Sequence, residues 1–181
     1  MLKIIQHNKA VIRFLLWFGG SYLILALLYK LFLVYGLSEN YYPEIFTYLV
    51  AEQSRALIES MGYVSSTFPH PFAEGIALTI NEEIIVRVIE GCNGISVIIL
   101  FFSFVLAFGK KWKPVLLFSL AGASLIHVLN VTRIALLTIG IYEYPEYESL
   151  LHEIVFPAVI YGVVFLLWVL WTNYVLKQSK K

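Results

Sequence analysis

The chain alternates long apolar stretches with short clusters of charge. Four of the stretches are long enough to cross a hydrocarbon core of about 30 Å, which takes roughly 20 helical residues. They run approximately from Val11 to Leu37, Asn93 to Gly109, Pro114 to Ile141 and Ile154 to Leu176. The second is the shortest; its ISVIILFFSFVLAFG carries no charge and would cross with little tilt. The first runs past the roughly 7 to 15 apolar residues of a secretory signal and lacks a small-residue cleavage site, so it is expected to be retained. Lys30, near its far end, can extend its ammonium to the headgroup layer.

The connection between the first two spans, residues 38–91, has its own pattern. From Glu44 to Met61 the apolar residues Ile45, Phe46, Leu49, Val50, Ala56, Leu57 and Met61 recur near helical spacing, broken by Glu52, Gln53, Arg55 and Glu59. This predicts an amphipathic helix on the membrane surface or against the bundle. After Pro69 and Pro71, the runs IALTI and IIVRVI flank Asn81, Glu82 and Glu83, which predicts a short β-hairpin leading directly into Cys92. No internal repeat, low-complexity tract or domain boundary is visible. The expectation is one membrane domain over residues 1–181, an all-α integral membrane protein of about four transmembrane helices, with the amphipathic helix and hairpin before the second span.

Composition agrees and adds a direction. With 60% apolar and 16% aromatic residues and a mean hydropathy of +0.80, a water-facing surface has nowhere to place so many Leu, Ile, Val and Phe. The net charge of +1 offers no basic stripe for nucleic acid. The positions of the charges carry more than their total. Lys3, Lys9 and Arg13, then Lys110, Lys111 and Lys113, then Lys177, Lys180 and Lys181 lie in three segments without an acid, whereas every Glu falls between Gly36 and Gly91 or between Tyr142 and Glu153. The positive-inside rule therefore predicts cytoplasmic N- and C-termini, with the acidic connections outside.

Three residues stand out chemically. Arg133 falls in the outer half of the third span, where a charge costs at least about 2.5 kcal/mol and calls for a polar partner or a wet cavity. His127 and Asn130 precede it by six and three residues, a polar stripe on an apolar helix. Pairing with a Glu or with backbone carbonyls to fix packing is the alternative to a functional role. Cys92, the single cysteine, sits in EGCNG at the mouth of the second span. It is either a small buried hydrophobe or a nucleophile at a helix start, where free N–H groups can stabilise a thiolate or an oxyanion. His152, in LLHEIVFP, is either an interface histidine or a general acid/base. The charge map puts all three on the outer side from three different helices, a grouping that made no use of their identities. Asn130, Glu90, Asn93 and Gly94 are supporting candidates; His70, in FPHPF, reads as a loop residue and His127 lies deeper. A lone cysteine gives no disulfide framework or cysteine-rich metal site, and no cofactor is expected.

The segments EGCNGISVIILFFSFVLAF, NVTRIALLTIGIYEYPEY and LLHEIVFPAVIYGVVFLLW resemble, in that order, the exosortase and archaeosortase group of membrane-embedded cysteine transpeptidases, most closely its short F-like clade. Together they cover roughly residues 90–171. The resemblance implies that Cys92 attacks a peptide bond in the C-terminal sorting signal of an exported protein, a signal made of a short motif, a transmembrane segment and a basic tail. His152 would then be the general acid/base and Arg133 the stabiliser of the oxyanion, and the acyl group would pass to an amine or to water. Larger members carry additional spans, which leaves room here for an accessory membrane protein.

Two other classes compete. One is a non-catalytic assembly factor or transporter subunit, in which the polar stripe binds a partner. The other is a different membrane hydrolase, but the sequence holds no GxSG turn, no HExxH pair and no Asp at all, so it has no aspartate dyad.

Overall fold

The computed structural model describes residues 9–35 and 43–179. The orientation charges Lys3, Lys180 and Lys181, the expected end of the first span at Gly36 and Leu37, and the start of the expected connection at 38–42 lie outside the described residues. In chain order the elements are α1 (Lys9–Tyr35), α2 (Ile45–Ser60), β1 (Thr67–Pro69), β2 (Ile76–Ile80), β3 (Glu83–Val88), a 3₁₀ turn (Glu90–Cys92), α3 (Ile95–Phe108), α4 (Trp112–Glu143), a second 3₁₀ turn (Pro145–Tyr147), a π-helical turn (Leu150–Val155) and α5 (Phe156–Ser179).

Among the described residues three helical segments are long and apolar enough to cross a membrane: α1, α4, and Leu150–Gln178, which joins the π-helical turn to α5. The fourth expected span is apolar but has only 14 residues as α3, about 21 Å at 1.5 Å per residue. The expected start at Asn93 differs because Asn93 and Gly94 are spent on a turn. Asn93 Oδ1 accepts from Ile95 N at 2.9 Å, and Gly94 takes φ 81°, a conformation open to glycine. By contrast α4 has 32 residues, about 48 Å and well beyond the core thickness.

The bundle packs α3 against α1, α4 and α5. Its buried centre is Phe101, Val105, Ile126, Val164 and Trp171. Gly122 of α4 makes a close crossing with α3: a Cβ there would lie 2.3 Å from the Phe101 ring, the small-residue device of membrane helix contacts. Trp171 Nε1 donates to the Val105 carbonyl at 3.1 Å, so the buried indole is satisfied. No residue in the most apolar stretch of α1 is fully buried by the rest of the chain, as expected of a helix with one face towards lipid.

A second core, with Val50, Ile58, Leu78, Ile80, Val88 and Ile134 at its centre, joins α2 and the sheet to the C-terminal half of α4. The hairpin forms as expected, with the two-residue turn Asn81–Glu82 at φ 50° and 70°. Strand β1 adds a third, antiparallel strand to it. Helix α2 also forms, but on a different face. Thr47, Val50, Ala51, Ser54 and Ile58 are buried, while Phe46, Leu49 and Met61 of the expected apolar stripe are exposed. Small residues let α2 approach α4 closely enough for Ser54 Oγ to reach the Val131 carbonyl at 3.4 Å.

Glu44 anchors α2. Its carboxylate caps the helix, accepting from Phe46 N (2.6 Å) and Thr47 N (2.8 Å), and also accepts from Asn93 Nδ2 (2.9 Å). It is fully buried. Glu44→Ala is expected to lower stability by about 1–3 kcal/mol, since it removes the cap and leaves buried donors short of an acceptor. Thermal unfolding of the detergent-purified variant measures the loss, and an unchanged midpoint would contradict this role.

Candidate active site

Cys92 closes the 3₁₀ turn two residues ahead of the Gly94 cap of α3, so it precedes the helix rather than opening it. Its N–H donates to the Ile89 carbonyl at 2.8 Å. Asn130 of α4, fully buried, donates from Nδ2 to the Cys92 carbonyl at 2.7 Å. Gly94 permits this approach, for a Cβ there would sit 3.2 Å from the Asn130 amide. Asn93 fastens the same turn from the other side, donating to Tyr29 Oη (2.6 Å), Glu44 Oε1 (2.9 Å) and Thr47 Oγ1 (3.2 Å). The cysteine therefore rides on a turn tied to α1, α2 and α4. Three of the four supporting candidates build that turn.

The half-buried Cys92 lines a cavity of about 180 Å³ together with Arg133 and His152. Thus α4 and the π-helical turn before α5 place the two expected partners on the wall of the cavity that the cysteine lines. Among the described residues Arg133 makes no ion pair; the ion pairs there join Arg55 to Glu52 and Glu59. Its Nε is buried without a hydrogen-bond partner.

His152 is exposed within the π-helical turn. The cause lies two residues beyond that turn: Pro157 has no N–H to give the Glu153 carbonyl, and Phe156 N instead reaches back five residues to Leu151 O. Glu148 and Arg87 also line the cavity. Sequence reasoning passed over both, although Glu148 stands four residues before His152, a helical-neighbour spacing. The rest of the wall includes Ile85, Val88, Ile134 and Leu137, which makes it largely apolar.

The remaining polar candidates point elsewhere. Glu90 faces two clefts on the α1 side of the turn, where desolvation, with Glu44 and Glu74 nearby, raises its carboxyl above its ordinary value. His127 pairs with Gln53 of α2 at 2.7 Å, and His70 accepts from Phe72 N in the loop where it was expected. Among the described residues no cluster of His, Cys or Glu could hold a metal ion.

A half-buried thiol, a guanidinium without an ion pair among the described residues and an exposed imidazole, lining one mostly apolar cavity at one end of a helical bundle, are a set suited to acyl transfer. Neither a curated protein nor a solved structure matches the chain. The family model for transmembrane exosortases matches residues 10–173, nearly the whole length, with α1 and α4 inside the match apart from Lys9 and most of Leu150–Gln178 as well. This multi-pass membrane protein belongs to the transmembrane exosortase family.

Proposed function

We propose that the chain is a cysteine transpeptidase or protease that cleaves the C-terminal sorting signal of exported proteins. The convergence of Cys92, Arg133 and His152 on one cavity, from three separate elements, carries the reading. In this reading α3 crosses as a fourth, short span, both termini are cytoplasmic in the inner membrane, and the cavity opens on the outside. The charge segregation supports that orientation. The substrate's own span would run in the bilayer beside the bundle with its basic tail in the cytoplasm, which brings the peptide bond just above that span to the cavity.

The chemistry then follows from the residues. His152 takes the thiol proton, and Cys92 Sγ bonds to the carbonyl carbon. The guanidinium of Arg133 meets the negative charge that develops on the carbonyl oxygen. As the intermediate collapses the C–N bond breaks, His152 returns the proton to the departing amine, and the amine leaves with the membrane span. The thioester on Cys92 passes its acyl group to an amine or to water.

The test uses a reporter carrying the C-terminal signal of an exported protein encoded beside this chain. Membranes holding the wild-type protein are expected to shorten the reporter, and added hydroxylamine to divert the acyl group into a hydroxamate at the new C-terminus. Shortening without any hydroxamate under saturating hydroxylamine would count against a thioester intermediate. Absence of shortening would favour a non-catalytic role.

A further inference from the structure

The strand order β1-β2-β3 leaves two edges. One is β1, three residues ending in Pro69 and packed against α2. The other is β3, six residues without proline, joined to the nucleophile turn by Ile89 alone.

The free edge of β3 faces the cavity. Beyond the irregularity opposite Leu78 and Thr79, Val86, Arg87 and Val88 all line it in succession. Successive side chains of a strand point to opposite faces, so a space lined by three in a row lies along the edge and not over one face. Backbone polarity agrees. A Cβ on Gly75 would lie 2.7 Å from Val88 O, so that carbonyl points towards β2. Alternation along an antiparallel pair then sends the Arg87 N–H and C=O outward. Among the described residues no turn, loop or side-chain hydrogen bond reaches them; the Arg87 guanidinium bonds the Glu74 carbonyl at 2.8 Å instead.

The strand also has a direction relative to the bundle. Its hairpin end is held to the C-terminal end of α4 by Asn81 Nδ2 and Tyr142 Oη at 3.0 Å, and its far end through Cys92 O and Asn130 at 2.7 Å. It therefore runs back along the last turns of α4, towards the membrane in the proposed orientation. A substrate descending from outside into its own span travels the same way.

We infer that the free edge of β3 receives the extended substrate segment preceding the scissile bond as a parallel fourth strand, which feeds the bond to Cys92. This rests on the transpeptidase reading above. Main-chain pairing of this kind tolerates varied sequences, while alternate substrate side chains meet the apolar wall at Ile134 and Leu137. Such an edge fits exported substrates that present an extended stretch ahead of their own span.

The test compares Arg87→Pro with Arg87→Ala on the same reporter. Both lose the guanidinium, and only proline loses the outward N–H, which the β2 ladder does not use. Processing by Arg87→Pro is expected to fall about ten-fold below that of Arg87→Ala, the effect of one hydrogen bond with its partner left unsatisfied. Equal labelling of Cys92 by a small thiol reagent in both variants checks that the site is formed. If Arg87→Pro is not made or not folded, a proline scan of the reporter segment before the cut decides: losses should recur at every second residue. Cys92-dependent cleavage with equal variants, or a flat scan, overturns the inference and leaves the enzyme intact. Cleavage indifferent to Cys92→Ala overturns the enzymatic reading, and this inference with it.

Discussion

Cys92→Ala is expected to abolish processing of the tail-bearing reporter, a loss of at least about 10⁴-fold on the scale seen when a catalytic nucleophile is removed. Membrane insertion and yield are expected to persist. The thiol is half-buried at the margin of the α2, sheet and α4 core, and truncating it removes one sulfur atom. The turn is held by backbone and neighbouring groups: Asn130 grips the Cys92 carbonyl, which alanine retains, and Asn93 grips α1 and α2. A folded, inactive protein is thus the predicted outcome, read by reporter length and by thermal unfolding side by side. Full processing by Cys92→Ala would remove the mechanism.

Arg133→Met is expected to move activity and stability in opposite directions. Methionine keeps the length and apolar stem of the side chain and deletes a charge that has no ion pair or hydrogen-bond partner among the described residues, with Nε buried. A half-buried charge without compensation among the described residues opposes folding, so the substitution should raise stability by about 1–3 kcal/mol. Turnover should fall by roughly 10²–10³-fold, the loss typical of removing one donor to a developing oxyanion. Arg133→Lys should recover part of the rate, because it restores a positive charge without the planar fork. If Arg133 served packing alone, both quantities would fall together. Unfolding midpoint and reporter turnover, measured on one preparation, separate the two cases.

The sequence made the spans visible because a bilayer imposes a one-dimensional rule: twenty apolar residues and segregated lysines can be read without knowing what touches what. The hairpin was visible for a similar reason, with short apolar runs on both sides of Asn81. Cys92, Arg133 and His152 drew attention as reactive or costly groups at one depth. Other features depend on contacts far apart in the chain. Glu44 reads as the start of a helix, and nothing local says that it also holds Asn93, 49 residues away. Strand β1 has three residues and no alternation to detect. The face of α2 was misjudged because apolar residues in a membrane protein can meet lipid as readily as protein, while close helix contacts select small residues such as Ala51 and Ser54. The π-helical turn required noticing what Pro157 withholds from the residue four before it.

The length of α4 makes the bundle a height gauge. From Trp112, beside the lysine cluster, to Asn130, which holds the Cys92 turn, is about 27 Å of helix, close to one hydrocarbon thickness. The last turns of α4, with α2 and the sheet packed on them, rise above that level. In the proposed orientation and mechanism the sulfur of Cys92 is mounted on the same rod that is seated at the opposite face, so a substrate would be cut according to how far a bond stands from the end of its own span, with bilayer thickness setting the scale.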